Sequence, residues 1–199
     1  MYEDYDQAET LKQVNVPAER VPALAALRES AKMLMVVERL LTEKVVPKSL
    51  ELFIKPPKIG TPTPPHQDGF YFCLEPNVAL TAWLALDDMD DENGTLHYVA
   101  GSHTRGVLGH GASQVLGFSQ GLTAGDLAEF GQEVSCALRR GDLLVHDSLT
   151  IHRAEGNPSG RLRRALAMVY YGESAQRDEA KYQRYQDSVK AQQQEIGVR

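Results

Sequence analysis

The sequence predicts a mainly β chain, a sandwich or jelly roll with α-helices flanking it at the N- and C-terminal ends. Three observations carry this expectation. Many short apolar segments of strand length follow one another between residues 49 and 171, separated by glycine, proline and Asn-Gly turn signals. No helical pattern alternates with them, as a βαβ sheet would require. Helical periodicity stands only outside this stretch, at 22–46 and, in polar form, at 174–195.

Taken in order, residues 1–20 are polar and fit no template. Leu24, Leu27, Ala31, Leu34, Val37 and Leu41 fall at helical spacing, and Pro47 is expected to end that helix or soon follow its end. Residues 49–55 read as a strand. Pro56, Pro57, Gly60, Pro62, Pro64 and Pro65 then make a long rigid loop, and 70–74 is short and aromatic. Residues 79–86 form a strand pattern with Thr81 and Trp83 on one face and Leu80, Ala82 and Leu84 on the other. The acidic run 87–92 lacks the sixth-position glycine and twelfth-position glutamate of a calcium loop counted from Asp88. A solvated hairpin end is expected there, with Asn93-Gly94 as the turn and 95–99 as the returning strand. The glycine-rich stretch 106–125 is expected to be a mobile lid. Strands at 134–138 and 142–146 flank Arg140-Gly141, and 151–154 and 164–171 close the series.

A length of 199 residues suits one domain, residues 1–199, with its core at about 49–171. The net charge of −6 gives no general attraction to nucleic acid or anionic lipid. No apolar run has the length of a membrane span, and the acidic opening MYEDYDQAET is unlike a signal peptide. Cys73 and Cys136 form no C-x-x-C pair, which favours a reducing, cytoplasmic setting without a disulfide framework. The expected partner is a small-molecule substrate, with the chain as a monomer or homodimer.

The chemistry concentrates in His66-Gln67-Asp68. In extended backbone, residues i and i+2 point to one side, so an imidazole and a carboxylate face a common point. A third ligand from a distant strand would complete a facial set with open positions, the arrangement that suits Fe(II) binding a co-substrate and O₂. The segment from Gly141 reads GDLLVHDSLTIH and ends in His152, with Asn157, Ser159 and Arg163 beyond it. An arginine fork on a strand there could pair with a carboxylate held by the metal. A dicarboxylate co-substrate has one end for the iron and another for Arg163. His146 lies on the same segment and competes as a ligand. Strand alternation puts Arg161 and Arg163 on one face and Arg164 on the other.

These segments resemble the phytanoyl-CoA dioxygenase family of 2-oxoglutarate oxygenases over roughly residues 50–171. The matching residues are Lys55-Pro56-Pro57, His66-Gln67-Asp68, Trp83, Asn93-Gly94, Gly101-Ser102-His103, Gly141-Asp142, His152, Asn157, Ser159 and Arg163. The resemblance implies a cupin-like double-stranded β-helix in which His66, Asp68 and His152 hold Fe(II). It further implies that Arg163 binds the distal carboxylate of 2-oxoglutarate and that Trp83 contacts this co-substrate, with Thr81 a further candidate on the same face. The implied reaction is hydroxylation coupled to decarboxylation of 2-oxoglutarate by O₂, giving succinate and CO₂. Ala154 stands where the family often has a hydroxyl residue. Two other readings compete: an oxygen-independent metal-dependent isomerase or lyase, and a non-enzymatic jelly-roll binding module.

Overall fold

The computed structural model describes residues 2–5, 8–17, 20–113, 119–123 and 125–195. Strands β1 (Tyr2–Tyr5) and β2 (Ala8–Leu11) pair with each other, and β3 (Gln13–Asn15) joins a larger sheet. The helix expected at 22–46 is two helices, α1 (Pro22–Arg28) and α2 (Ala31–Leu41). The break falls where Ser30 accepts the Met33 N–H at 3.3 Å as an N-cap. α2 ends at Thr42, in the left-handed region at φ 60°, and Pro47 follows a few residues beyond that end. Val45, Val46 and Pro47 instead open strand β4 (Val45–Lys55). β-Branched residues favour that choice, and Pro47, which has no N–H to donate, sits at an irregularity of the ladder opposite Met168–Tyr170.

The chain continues through β5 (Thr63–His66), the one-turn helix α3 (Asp68–Phe72), β6 (Leu74–Glu75), β7 (Ala79–Ala85) and β8 (Leu96–Val99). Then come β9 (His110–Ala112), β10 (Gln120–Leu122), β11 (Glu133–Cys136), β12 (Leu143–Asp147), β13 (His152–Ala154) and β14 (Arg163–Gly172). β15 (Gln176–Arg177) pairs with β6, and α4 (Glu179–Glu195) closes the described chain. Part of the expected lid, 114–118 and 124, lies outside the described residues.

Two antiparallel sheets face each other. One runs β12-β7-β14-β4-β3 and the other β11-β8-β13-β5. The chain repeatedly leaves one sheet for the other, which makes a double-stranded β-helix. Accordingly, β8 does not return beside β7 as a hairpin. It pairs with β11 and β13 in the opposite sheet. The segment between β7 and β8 turns a corner: Met89 is buried and bridges Leu138, and Asn93 is buried, donating to the Asp88 carbonyl and accepting from the Asp90 N–H. Its acidic residues are tied down, Asp87 to Arg164 and Asp90 to Arg161. β11 and β12 likewise flank Gly141 yet belong to different sheets.

The outer face of the larger sheet carries one core. Met33 and Val37 of α2 pack there on Leu50, Leu80, Ala82, Leu166, Met168 and Tyr170. Each large side chain buried so contributes roughly 1.5–3 kcal/mol. The inner faces carry a second core of Trp83, Ala85, Met89, Leu96, Tyr98, Ala154, Ala165 and Ala167.

Candidate active site

His66 ends β5 and His152 begins β13, and the two are direct partners across the strands, with ring centroids 4.1 Å apart. Asp68 follows as the first residue of α3. Its Oδ1 lies 3.6 Å from His66 Nε2 and 3.7 Å from His152 Nε2. The ligand atoms of the three residues all fall within 4.8 Å of one another. Each histidine turns Nδ1 to a carbonyl two residues earlier, His66 to Pro64 at 2.9 Å and His152 to Thr150 at 3.0 Å. Carbonyls only accept, so both rings carry their proton on Nδ1 and present the lone pair of Nε2 to Asp68.

The electrostatics agree. Burial lowers the pKa of His66, and burial with the neighbouring His66 charge lowers that of His152 further. Burial alone would raise the Asp68 carboxyl, but His152, His146 and His66 hold it well below the ordinary carboxylate range. Two neutral imidazoles and one carboxylate, all deprotonated at the converging atoms, form the protonation state that a divalent cation needs. Two nitrogens and one oxygen on one side of a point fit iron with open positions.

Gln67 is fully buried and holds the ligand turn in place. Its amide donates to Gly106 O at 3.0 Å and Leu149 O at 2.6 Å, and accepts the Leu108 N–H at 2.8 Å. Phe70 stacks on His110 at 4.2 Å, and Tyr71 lies 5.9 Å from the His66 ring. Tyr185 of α4 covers Tyr71 at 5.6 Å, and Ser188 accepts from Gln120 Nε2. The C-terminal helix expected at 174–195 therefore starts later, at Glu179, and roofs this aromatic wall.

Arg163 begins β14 and is 2% exposed. Its Nη2 donates to Gly94 O at 2.8 Å, and its guanidinium lies 5.7 Å from the Trp83 ring. Its Nε and the indole Nε1 of Trp83 are both buried with no protein acceptor among the described residues. Burial pulls the Arg163 pKa down to about 9, which still leaves the group charged at neutral pH. Arg161 and Arg164 instead lie at the surface in pairs with Asp90 and Asp87. A buried cation and a buried N–H donor left with acceptors to find fit a carboxylate between the sheets. Thr81 and Trp83 share the inner face of β7, roughly 7 Å apart along the strand. Thr81 donates to Asp68 Oδ2 at 2.7 Å, so this face runs from the candidate metal ligands to the arginine.

The sequence did not single out Tyr98 and weighed His146 only as a competing ligand. His146 Nε2 lies 3.2 Å from Asp68 Oδ2, and Tyr98 OH lies 2.8 Å from His146 Nδ1. Lys55 and Lys58 donate to the carbonyls of Thr61 and Pro158.

The model of the phytanoyl-CoA dioxygenase (PhyH) family matches residues 3–165. The chain belongs to this family. It is similar to the phytanoyl-CoA dioxygenase domain-containing protein 1 of Mus musculus, 34% identical over 159 residues, covering 74% of this chain and 52% of that protein. The chain thus spans about half the length of such relatives. Among solved structures, it is similar to EvdO2 from Micromonospora carbonacea var. aurantiaca complexed with 2-oxoglutarate. That match has a TM-score of 0.71 and 26% identity, and covers 88% of this chain and 74% of EvdO2. The epimerase SnoN, solved with Fe3+, alpha ketoglutarate and nogalamycin RO, matches with a TM-score of 0.70 and 25% identity, covering 88% and 68% of the two chains. Among the described residues no helix is long and apolar enough to cross a membrane.

Proposed function

We propose that residues 1–199 form one Fe(II)- and 2-oxoglutarate-dependent oxygenase domain that hydroxylates a small molecule, with release of succinate and CO₂. The observation that carries this reading is Arg163, a buried guanidinium with a donor to spare, at the far end of the face that begins at Asp68. A bare metalloenzyme would have no use for it, whereas a dicarboxylate bound to the metal at one end presents its other carboxylate there.

In this reading His66, Asp68 and His152 hold the iron, and Arg163 and the Trp83 N–H orient the co-substrate. Iron with 2-oxoglutarate and O₂ supplies the oxidising chemistry. The protein contributes placement and dryness. Leu96, Ala154, Ala165 and Ala167 line the space between the sheets and offer water no hydrogen bond. Phe70, Tyr71 and Tyr185 form the wall on the ligand side and are the surfaces on which a substrate would lie.

The likeness to SnoN favours a second reading, epimerisation, that keeps the same metal ligands and co-substrate. Both readings are tested first by anaerobic Fe(II) titration with and without 2-oxoglutarate, recording the visible charge-transfer band of the chelate. A band that needs both and vanishes in Arg163→Ala supports the co-substrate site. Folded, metal-loaded protein without the band refutes it. In a substrate screen by succinate release, a product heavier by one oxygen identifies hydroxylation, and a product of unchanged mass identifies epimerisation.

A further inference from the structure

We infer that Thr81, His146 and Tyr98 form a positioning network that restricts Asp68 to binding metal through a single oxygen. The inference rests on the metal-site reading above and extends it to three residues outside the ligand set.

The Asp68 carboxylate is ionised and only accepts. Thr81 Oγ1 donates to Oδ2 at 2.7 Å. His146 Nε2, 3.2 Å from the same oxygen, is favourable there only as an N–H donor. His146 Nδ1 is then the lone-pair nitrogen, and Tyr98 OH donates to it at 2.8 Å. One consistent chain of donors results, Tyr98 to His146 to Asp68, with Thr81 beside it. Tyr98 and His146 are almost fully buried and come from opposite sheets, β8 and β12.

Two consequences follow. Oδ2 is occupied by two protein donors, while Oδ1 faces the Nε2 atoms of His66 and His152. The carboxylate therefore presents one oxygen to a cation. If it swung to bind through both, it would use a position that a chelating 2-oxo acid and O₂ need between them. Second, a ring that donates from Nε2 cannot ligate through it. His146 is thereby withheld from the metal although its ring centroid is only 4.6 Å from that of His152.

The test uses Co(II) as a spectroscopic probe in the full chain, without turnover. Wild type, Thr81→Val, Thr81→Ser and Tyr98→Phe are titrated with Co(II), and the intensity of the visible cobalt bands is recorded. Far-UV circular dichroism and melting temperature establish that each variant is folded. Thr81→Val and Tyr98→Phe are expected to weaken Co(II) binding by about 10- to 100-fold and to change the band intensity, which reports coordination number. Thr81→Ser, which keeps the hydroxyl, is expected to stay close to wild type. Folded Thr81→Val and Tyr98→Phe variants with wild-type affinity and spectrum overturn the network and leave the metal site standing. A wild-type chain that binds no Co(II) overturns the metal-site reading, and the network falls with it.

Discussion

Replacing Arg163 with methionine should stabilise the protein without ligands and abolish its stabilisation by 2-oxoglutarate. The guanidinium is buried, and its pKa falls from the ordinary 12.5 to about 9. Each tenfold in proton affinity is about 1.4 kcal/mol, so holding this charge costs about 5 kcal/mol. The hydrogen bond to Gly94 O offsets about 2 kcal/mol, and the approach to the Trp83 face about 1 kcal/mol. Methionine has similar length and no charge, so about 2 kcal/mol should be recovered, in line with other replacements of buried charges. For a chain of this size that is about 4–8 °C in melting temperature. With metal present in both proteins, 2-oxoglutarate at about a hundredfold over Kd should stabilise wild type by about 2.7 kcal/mol and the variant not at all, so the order of stabilities reverses. Differential scanning calorimetry of both proteins, with and without metal and 2-oxoglutarate, measures all four states. A ligand-free variant that melts below wild type, or a variant that still gains from 2-oxoglutarate, would refute the assignment of Arg163 as an unneutralised anion receptor.

Two further outcomes are expected. His66 and His152 have folded pKa values below 6.5, so below about pH 6.5 the unfolded chain binds more protons and stability falls as pH falls. Asp68, also lowered, adds loss of the same sign below about pH 4. Urea unfolding of metal-free protein should therefore show a lower midpoint at pH 5 than at pH 7, and a flat profile between them would contradict these directions. Gly94 has φ +82°, and a Cβ there would stand 2.5 Å from the Glu155 carbonyl oxygen. Gly94→Ala should cost at least about 2 kcal/mol by urea unfolding, and should also weaken 2-oxoglutarate binding, because Gly94 O is the carbonyl that holds Arg163.

What the sequence made legible was what local pattern encodes. Alternation at Thr81 and Trp83 placed them on one inner face, and the i, i+2 spacing of His66 and Asp68 aimed both at one point. The distance from His152 to Arg163 matched a family pattern, and Arg163 is the buried arginine while Arg161 and Arg164 are surface residues. Partnership between distant strands was not legible. Asn93-Gly94 carries the signal of a tight hairpin, yet a buried Met89 and Asn93 turn the chain to the other sheet, and no local rule separates the two outcomes. The donors behind Asp68 were hidden for the same reason, since Tyr98 and His146 come from different sheets and meet only after both are built. The break between α1 and α2 did have a local signal, the serine at position 30, which helical periodicity running through it obscured. Thr81, expected as a co-substrate contact, is buried on the inner face of β7 and donates its hydroxyl to Asp68.

The pairing of His66 with His152 sets when an ion can first be held. The two residues are neighbours in space but 86 positions apart in the chain (152 − 66). β13 also pairs with β8, and between β5 and β13 the chain leaves for the larger sheet and returns twice, through β7 and through β12, before the two imidazoles meet. Contacts of such long sequence separation are slow to form. A metal ion therefore cannot act as a seed for folding here. It binds only a chain whose closure is finished, so its presence should slow unfolding and leave the refolding rate nearly unchanged. The ion would act as a latch on the completed barrel.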